Sequence, residues 1–556
     1  MKKKTLNIAL VTLMLVGTVG CKKFLDVNTD PDTTQAPSNS SVMPAMLAGI
    51  PRGVQYDARY VGKYIQNWLA VANGNNDTWD RHGYVASSDA SGDIWRQTYF
   101  GLGGNLEYMI KNGLNKNELD YVGAAYALKA LMFQMAADYH GMIIYRQAFE
   151  EGRYYFEFDD QDVVYRGVDS LCRLAIDNLT KAATGNITLG RGDIVYSGNL
   201  DKWKKFTYAI MAKNFHRYSL KADYKADSVI KYCDLAMTSV EDDFVVPFDG
   251  TKNDDTNFFG TYRDNLGSFR QSNFIVKLLD GTTMTGSSAG PNRDPRLRHM
   301  LSASQDTTNG NGGFRGVDPG LGDPFSALTG TYAVGSANWV NARKRVAVPW
   351  ADSLYVNPSV AVFSTQYGKY LFRDKAVMPV ICYPEIQFIK AEAAFRKGDK
   401  NLAYTAYLAG INGHFDFINR SYSSVRGNSN IFNGSAITAA QRSAYLASPN
   451  VKSAAGSLNI SDIMQQKYIA LWGWGWVETW VDLRRFHYTD LDPETGEQVY
   501  KNFTLPVSYF ANNLNKPVQR VRPRFNSEYV WNLEELKKYG GDKADYHTYE
   551  VWFSKP

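Results

Sequence analysis

Apolar side chains recur along much of the chain at steps of three and four residues. Positions this far apart lie on one face of an α-helix, so the pattern predicts amphipathic helices that pack through that face. The two clearest runs are Tyr121, Ala124, Ala125, Leu128, Leu131, Met132, Met135 and Tyr139, and then Trp203, Phe206, Ile210, Met211 and Tyr218. We therefore expect a mainly all-α fold from about Val42 onward.

One stretch predicts two helices joined by a tight turn. The first helix runs from Pro384 to Lys397, Gly398 and Asp399 form the turn, and the second helix begins near Asn401. Small residues would let the two helices approach closely: Ala391, Ala393, Ala394, Ala403 and Ala406. Such pairs resemble tetratricopeptide units, although no strict period of about 34 residues is visible. The expected architecture is a tetratricopeptide-like helix-pair scaffold.

A second kind of sequence interrupts the helical pattern. Between residues 281 and 335, eleven of 55 positions are Gly, and Ser, Thr, Asn and Asp are frequent. This composition predicts long irregular loops, where recognition commonly occurs. We assign about 240–380 to a loop-rich lobe with few short strands, within a single body that spans 42–556.

The N-terminus has the order of a bacterial export signal. Three lysines precede an apolar run from Leu6 to Val19, which is too short to span a bilayer. Small residues before Cys21 resemble a lipobox, although Thr18 occupies a position where Leu is preferred. We predict a signal peptide over 1–20, lipidation of Cys21 and a polar tether over 21–41. A plain secretory signal with an incidental Cys is the alternative.

Charge and cysteine content narrow the choice of partners. Removing the signal takes away three of the 61 basic residues, which leaves 58 against 56 acidic residues. A net charge near +2 provides no electrostatic case for binding nucleic acid. The odd number of remaining cysteines indicates neither a disulfide framework nor a zinc site, and we expect buried thiols at Cys172, Cys233 and Cys382.

Motifs for catalysis are weak. Gly286 to Gly290 match G-x-S-x-G but stand in a predicted loop rather than between a strand and a helix. The seven His show no zinc-binding spacing, so no metal or cofactor is expected. Glu478 and Asp482 could form a glycosidase pair, but Arg484 and Arg485 follow within one turn, and salt bridges are the simpler interpretation.

Aromatic residues make up 14% of the chain, which suggests a role beyond the core. Trp79 and Tyr84 stand among Asn76, Asp77 and Arg81, and this mixture suits a sugar, whose C–H faces pack on rings and whose hydroxyls bond to amides and carboxylates. Trp339 and Trp350 carry the same argument in the loop-rich lobe, and rings that only cap the core are the alternative. We expect four further tryptophans to pack a helix into the body: Trp472, Trp474, Trp476 and Trp480.

The order of motifs resembles the SusD/RagB-like nutrient-binding outer-membrane lipoproteins of Bacteroidetes. The match spans nearly the whole chain, and one turn departs from it, because residues 140–145 lack the Asp and Pro of the usual Y-G-D-I-P-Y sequence. The matching segments are CKKFLDVNTDPD, IWRQTYFGLGGNLEYMI, GAAYALKALMFQMAADYHGMIIYRQAF, NRDPRLRHM, FRGVDPGLGDP, YPEIQFIKAEAAFRKGD, QKYIALWGWGWVETWVDLRRF and RVRPRFNSEYVWN.

This resemblance implies four tetratricopeptide-like helix pairs and a cell-surface protein that works beside a TonB-dependent SusC-like transporter, without enzyme activity. It places the ligand site on the early loop after the first helix. Trp79 is then the exposed stacking face, with Asn76, Asp77, Arg81 and Tyr84 around it and Trp339 as a second wall. A surface glycoside hydrolase with an unidentified carboxylate pair is the alternative function.

Overall fold

The computed structural model describes residues 36–72, 77–288, 293–349, 369–420 and 436–556. The predicted signal peptide, Cys21 and most of the predicted tether lie outside these ranges, as do Asn76 and Trp350. The first described helix begins at Asn39, three residues before the expected start of the body, because the side chain of Ser38 caps it by accepting the backbone N–H of Ser41.

Helices form most of the regular structure, which confirms the mainly α prediction. The first half contains α1 (Asn39–Tyr64), α2 (Asp93–Arg96), α3 (Gly103–Lys116), α4 (Leu119–His140), α5 (Gln161–Ala182), α6 (Leu200–His216) and α7 (Ala226–Leu235). The second half contains α8 (Asn273–Leu279), α9 (Thr282–Thr285), α10 (Leu297–Met300), α11 (Ala337–Ala342), α12 (Tyr383–Lys397), α13 (Lys400–Arg420), α14 (Ala439–Leu446), α15 (Ile460–Leu471), α16 (Trp476–Arg485) and α17 (Leu533–Lys537). A π-helical turn, Gln97–Gly101, separates α2 from α3.

The long helices pack as a chain of neighbours. Helices α3, α4, α5, α6 and α7 each pack against the next, and α7 then packs against α12, which pairs with α13. The α12–α13 hairpin agrees with its prediction within one residue at each boundary, and Gly398 at the turn has the left-handed φ of 87° that glycine adopts without strain. The alanines between the two helices are buried, as their spacing predicts.

Strands are few and short among the described residues. Antiparallel pairing joins β1 (Trp68–Ala70) to β3 (Phe269–Gln271) and β2 (Phe244–Val246) to β4 (Met378–Ile381). Between residues 240 and 380 the longest described helix, α8, has seven residues. Irregular backbone therefore dominates this part of the chain where it is described.

Eight tryptophans are buried in the described part of the core. Trp472, Trp474, Trp476 and Trp480 are all buried, as predicted, and so are the thiols of Cys172, Cys233 and Cys382. Within the described ranges, no helix has the length and apolar character needed to cross a membrane.

The C-terminal segment returns to the early part of the chain. The backbone N–H of Phe510 donates to the carbonyl of Arg81 at 2.9 Å, and that of Val521 donates to the carbonyl of Tyr139, near the end of α4, at 3.0 Å. Residues more than 350 positions apart in sequence therefore form one surface. The candidate site lies where these segments meet.

Candidate functional site

Asp77 shapes the loop that follows β1. Its Oδ1 accepts the backbone N–H groups of Trp79 and Asp80, each at 2.9 Å, and its Oδ2 lies 2.6 Å from Nζ of Lys63. The buried neighbour Asp80 also faces Lys63, at 3.7 Å. Burial raises the pKa of Asp80 to about 7, although Lys63 opposes that shift. The carboxylate of Asp77, which we expected at a ligand rim, thus has partners within the fold.

Trp79 is a core residue, and the expectation of an exposed ring is wrong. Its side chain is only 6% exposed, and its ring centroid lies 4.9 Å from that of Tyr60 and 5.8 Å from that of Tyr64, both on α1. The side chain turns inward because these two rings offer it a packed apolar surface. Trp79 nevertheless lines one side of a cavity, described next, so a contact with ligand remains a prediction.

This cavity, of about 200 Å³, lies between the loop 84–92 and the C-terminal stretch 520–529. A cavity of roughly 150 Å³ already admits a six-membered ring. The aromatic side chains around it are Tyr64, Trp79, Tyr84, Phe525 and Tyr529, the hydroxyls are those of Ser87, Ser88 and Ser91, and the basic residues are Arg520, Arg522, Arg524 and His547. Rings beside hydroxyls and guanidinium groups are the surface that a sugar unit requires.

Tyr84 contacts two of the basic residues. The guanidinium carbon of Arg522 lies 4.2 Å from the centre of the Tyr84 ring, and the imidazole of His547 meets the same ring edge-on at 4.7 Å. The Tyr84 hydroxyl donates to the carbonyl of Ala544 at 3.3 Å. Burial, and then the charge of Arg522, lower the pKa of His547 to about 3, so this imidazole is neutral at pH 7.

Arg81 ties the early loop to the C-terminal segment. Its Nε donates to the carbonyl of Ser508 at 3.1 Å, and its Nη2 donates to the carbonyl of Tyr509 at 2.7 Å. Arg81 does not line the cavity. Its described contacts position the loop that carries Tyr84.

Trp339 stands apart from this cavity. It lies on α11, where the guanidinium carbon of Arg343 is 4.4 Å from its ring centre, and it is absent from the cavity lining. The described residues thus bring Trp79 and Tyr84 together but do not bring Trp339 to the same wall. Asn76, also expected at the rim, lies outside the described residues.

An aromatic groove of about 590 Å³ adjoins the cavity and shares Arg524 with it. Phe100, on its rim, is 77% exposed, and Tyr154 and Tyr155, next in sequence to the groove residue Phe156, are 81% and 75% exposed. Exposed rings at this density are typical of binding surfaces. This groove was not predicted from the sequence. The run YYFEF, with four rings in five residues, is the sequence feature that indicates it. The remaining lining is Trp95, Arg96, Tyr99, Ile144, Ala148, Phe149, Ser527 and Glu528.

Glu478 and Asp482 belong to a buried network of charges. Both side chains are 1% exposed; Glu478 lies 2.5 Å from Arg217, and Asp482 lies 2.6 Å from Arg485 and 2.7 Å from Lys467. Burial alone would raise the pKa of Glu478, but the surrounding cations, first Arg217, hold it well below its usual range. Both carboxyl groups are buried against cations, which supports the salt-bridge interpretation.

The partner of Glu478 differs from the expected one. Arg484 and Arg485 were the expected salt-bridge partners. Arg484 instead donates to backbone carbonyls and stacks on Trp480 at 3.7 Å. Arg217, which is distant in sequence, pairs with Glu478 instead.

Among the described residues, no group of three or more His, Cys, Asp and Glu side chains is arranged to hold a metal ion. The G-x-S-x-G match extends into residues 289 and 290, which lie outside the described residues.

Solved structures share this fold. A SusD/RagB family protein from Bacteroides thetaiotaomicron has a TM-score of 0.64 and 21% identity, with 93% of this chain and 99% of that chain covered. A SusD homolog from Bacteroides fragilis has a TM-score of 0.64 and 18% identity, with 93% and 100% covered. A chitin-binding SusD homolog from Flavobacterium johnsoniae has a TM-score of 0.62 and 17% identity, with 93% and 98% covered.

The comparison with curated proteins finds no significant match. A family model matches residues 31–509, and its description is SusD-like, starch-binding, associating with the outer membrane. Because this match extends over most of the chain, the protein belongs to the SusD-like family.

Proposed function

We propose that this protein captures a glycan at the cell surface and delivers it to a TonB-dependent, SusC-like transporter in the outer membrane. The match to a family described as starch-binding and associating with the outer membrane carries the proposal. The cavity supports it, because aromatic rings and serine hydroxyls together suit a sugar unit. A structural relative with the same fold is named as chitin-binding.

In this proposal the Tyr84 ring stacks on a sugar, the serine hydroxyls around it bond to the sugar hydroxyls, and the adjacent groove receives further units. Tyr84 contacts both Arg522 and His547, so its ring is oriented before the ligand arrives. Orientation in advance reduces the entropy lost on binding. Neither cofactor nor metal takes part, and the ligand leaves chemically unchanged.

A glycan array followed by calorimetry on the purified protein tests ligand capture. We expect one class of oligosaccharide to bind, and we expect Tyr84→Ala to weaken that binding about tenfold to a hundredfold, since an aromatic contact contributes on the order of 1 to 3 kcal/mol. Tyr262→Ala is the matched control, because Tyr262 is 68% exposed and lines neither the cavity nor the groove. Failure of every glycan to bind would refute sugar capture, and hydrolysis of a bound one would favour the glycosidase.

Anchorage is tested separately in the native host. Acyl chains contribute about 0.8 kcal/mol per buried CH₂, so the lipidated protein should remain with the outer membrane and Cys21→Ala should release it. Co-purification of a SusC-like barrel with the wild-type protein tests the partner. If Cys21→Ala still sedimented fully with membranes in a strain that lacks the transporter, lipid anchoring would be wrong.

A further inference from the structure

The cavity is unusual in its charge. Three arginines line it, Arg520, Arg522 and Arg524, and its lining includes no Asp or Glu. His547 contributes no positive charge at neutral pH, because burial keeps its imidazole neutral. The net charge of this surface therefore depends on which of the three guanidinium groups has a carboxylate partner elsewhere.

Within the described ranges, only Arg524 has such a partner. Its Nη2 lies 2.6 Å from Oδ2 of Asp89. Asp89 is itself held in place by Asn526, whose backbone N–H and side-chain amide donate to it at 2.9 Å and 2.7 Å. The charge of Arg524 is thus balanced within the fold.

Arg520 donates only to neutral oxygens. Its Nε donates to the carbonyl of Tyr549 at 2.9 Å, and its Nη2 donates to the carbonyl of Glu550 at 2.8 Å. The carboxylate of Glu550 instead faces His487 at 3.2 Å. Arg520 is 6% exposed, so its charge is largely removed from water without an ion pair in the described part of the chain.

Arg522 is only half-buried, but among the described residues it also donates only to neutral oxygens. Its two Nη atoms donate to the Tyr529 hydroxyl at 2.9 Å and to the carbonyls of Gly541 and Ala544 at 3.0 Å and 2.8 Å, and also to that of Lys543. Its Nε is buried and has no hydrogen-bond partner among the residues that the structure describes. The nearby carboxylate of Asp545 accepts from the Tyr549 hydroxyl and does not line the cavity.

Two guanidinium groups beside this ring-sized cavity, one buried and one half-buried, thus have no carboxylate partner in the described part of the chain. Removing a charge from water costs several kcal/mol unless an opposite charge or a full set of hydrogen bonds compensates. A bound anion would supply the missing charge, and guanidinium is the side-chain group that best matches a carboxylate or sulfate.

We infer that the cavity receives an anionic group of the ligand, a carboxylate or a sulfate ester, so that the preferred glycan is acidic. This inference rests on the proposed glycan capture and names its ligand class. The carboxylate of a uronic acid and the sulfate of a sulfated sugar share this chemistry, and the experiment must separate them. A neutral polymer such as chitin would leave both guanidinium charges unbalanced.

Two matched pairs of oligosaccharides test the inference by calorimetry on the full chain. Tetragalacturonic acid is compared with its methyl ester, and a sulfated carrageenan tetrasaccharide with its desulfated form. We expect at least one charged member to bind ten or more times tighter than its neutral partner. This preference should shrink as salt rises from about 50 to 500 mM, because ions screen the attraction. The pair that shows the preference identifies the anion.

Arg522→Gln should reduce the charged-to-neutral affinity ratio at least fivefold, while Arg522→Lys, which keeps the charge, should retain most of it. Arg343→Gln is the matched control, since Arg343 stacks on Trp339 away from the cavity and should leave the ratio unchanged. If Arg522→Gln does not fold, the ratio and its salt dependence in the wild-type protein still decide the question.

The outcomes separate the two proposals. Equal binding of charged and neutral partners, or an array that identifies only neutral glycans, would overturn the acidic preference and leave glycan capture standing. An unchanged ratio in folded Arg522→Gln would show that this guanidinium serves only to fasten the C-terminal segment. Absence of binding to any glycan, charged or neutral, would overturn glycan capture itself.

Discussion

Replacing Trp79 with Ala measures how far this ring belongs to the core. The side chain is 6% exposed and contacts the rings of Tyr60 and Tyr64. Burying about 200 Å² of aromatic surface at about 25 cal/mol per Å² is worth about 5 kcal/mol as an upper estimate. Large-to-small changes of a buried Trp cost about 3 to 5 kcal/mol. We expect Trp79→Ala to fall in this range, near its lower end, because one side of the ring borders the cavity.

Urea unfolding followed by circular dichroism provides the measurement, with the free energy of unfolding taken from the midpoint and slope. Trp531→Ala is the matched control, because that ring is 71% exposed and its loss should change stability by no more than about 0.5 kcal/mol. A Trp79→Ala protein within about 1 kcal/mol of wild type would refute the assignment to the core. Such a result would support the expectation that Trp79 exposes its ring for stacking.

Two further predictions concern buried charges. Glu478→Gln should lower the free energy of unfolding by about 3 to 5 kcal/mol, because it removes a carboxylate from the buried Arg217. The control Glu534→Gln, at a side chain that is 85% exposed, should change this free energy little. Equal urea midpoints for the two variants would contradict the prediction. Burial raises the pKa of Asp80 from 3.8 to about 7, so the folded protein holds a proton that the unfolded chain releases. The contribution of Asp80 to the free energy of unfolding is therefore fully present below pH 4 and is lost as the pH rises through 7. Between pH 5 and 8, the free energy of unfolding of the wild-type protein should fall by up to about 3 kcal/mol relative to that of Asp80→Asn. Parallel pH profiles in urea unfolding would show that the pKa of Asp80 is not raised.

The helical scaffold could be predicted because its signals are local. The hairpin of α12 and α13 follows from apolar spacing, a Gly at the turn and small residues between the helices, all within about 40 consecutive positions. The burial of Cys172 and Cys233 follows from the same periodicity, since each shares a helix face with apolar neighbours. Such patterns depend on residues a few positions apart, so they can be interpreted without knowing the rest of the fold.

The site depends instead on contacts between distant segments. Tyr84 meets Arg522, and Arg81 meets Ser508, across more than 400 residues. No local pattern specifies such a pairing. For this reason the sequence pointed to the loop 73–84 but could not show that its Trp turns inward while its Tyr faces the cavity.

The amino-acid sequence by itself therefore determined the helix pairs and the family, because periodicity and motif order are properties of neighbouring residues. Tertiary structure alone decided that Trp79 packs on α1, that Glu478 pairs with Arg217, and that two arginines meet at a cavity without a carboxylate. Burial and charge balance arise only when the folded chain brings remote side chains together and excludes water from between them.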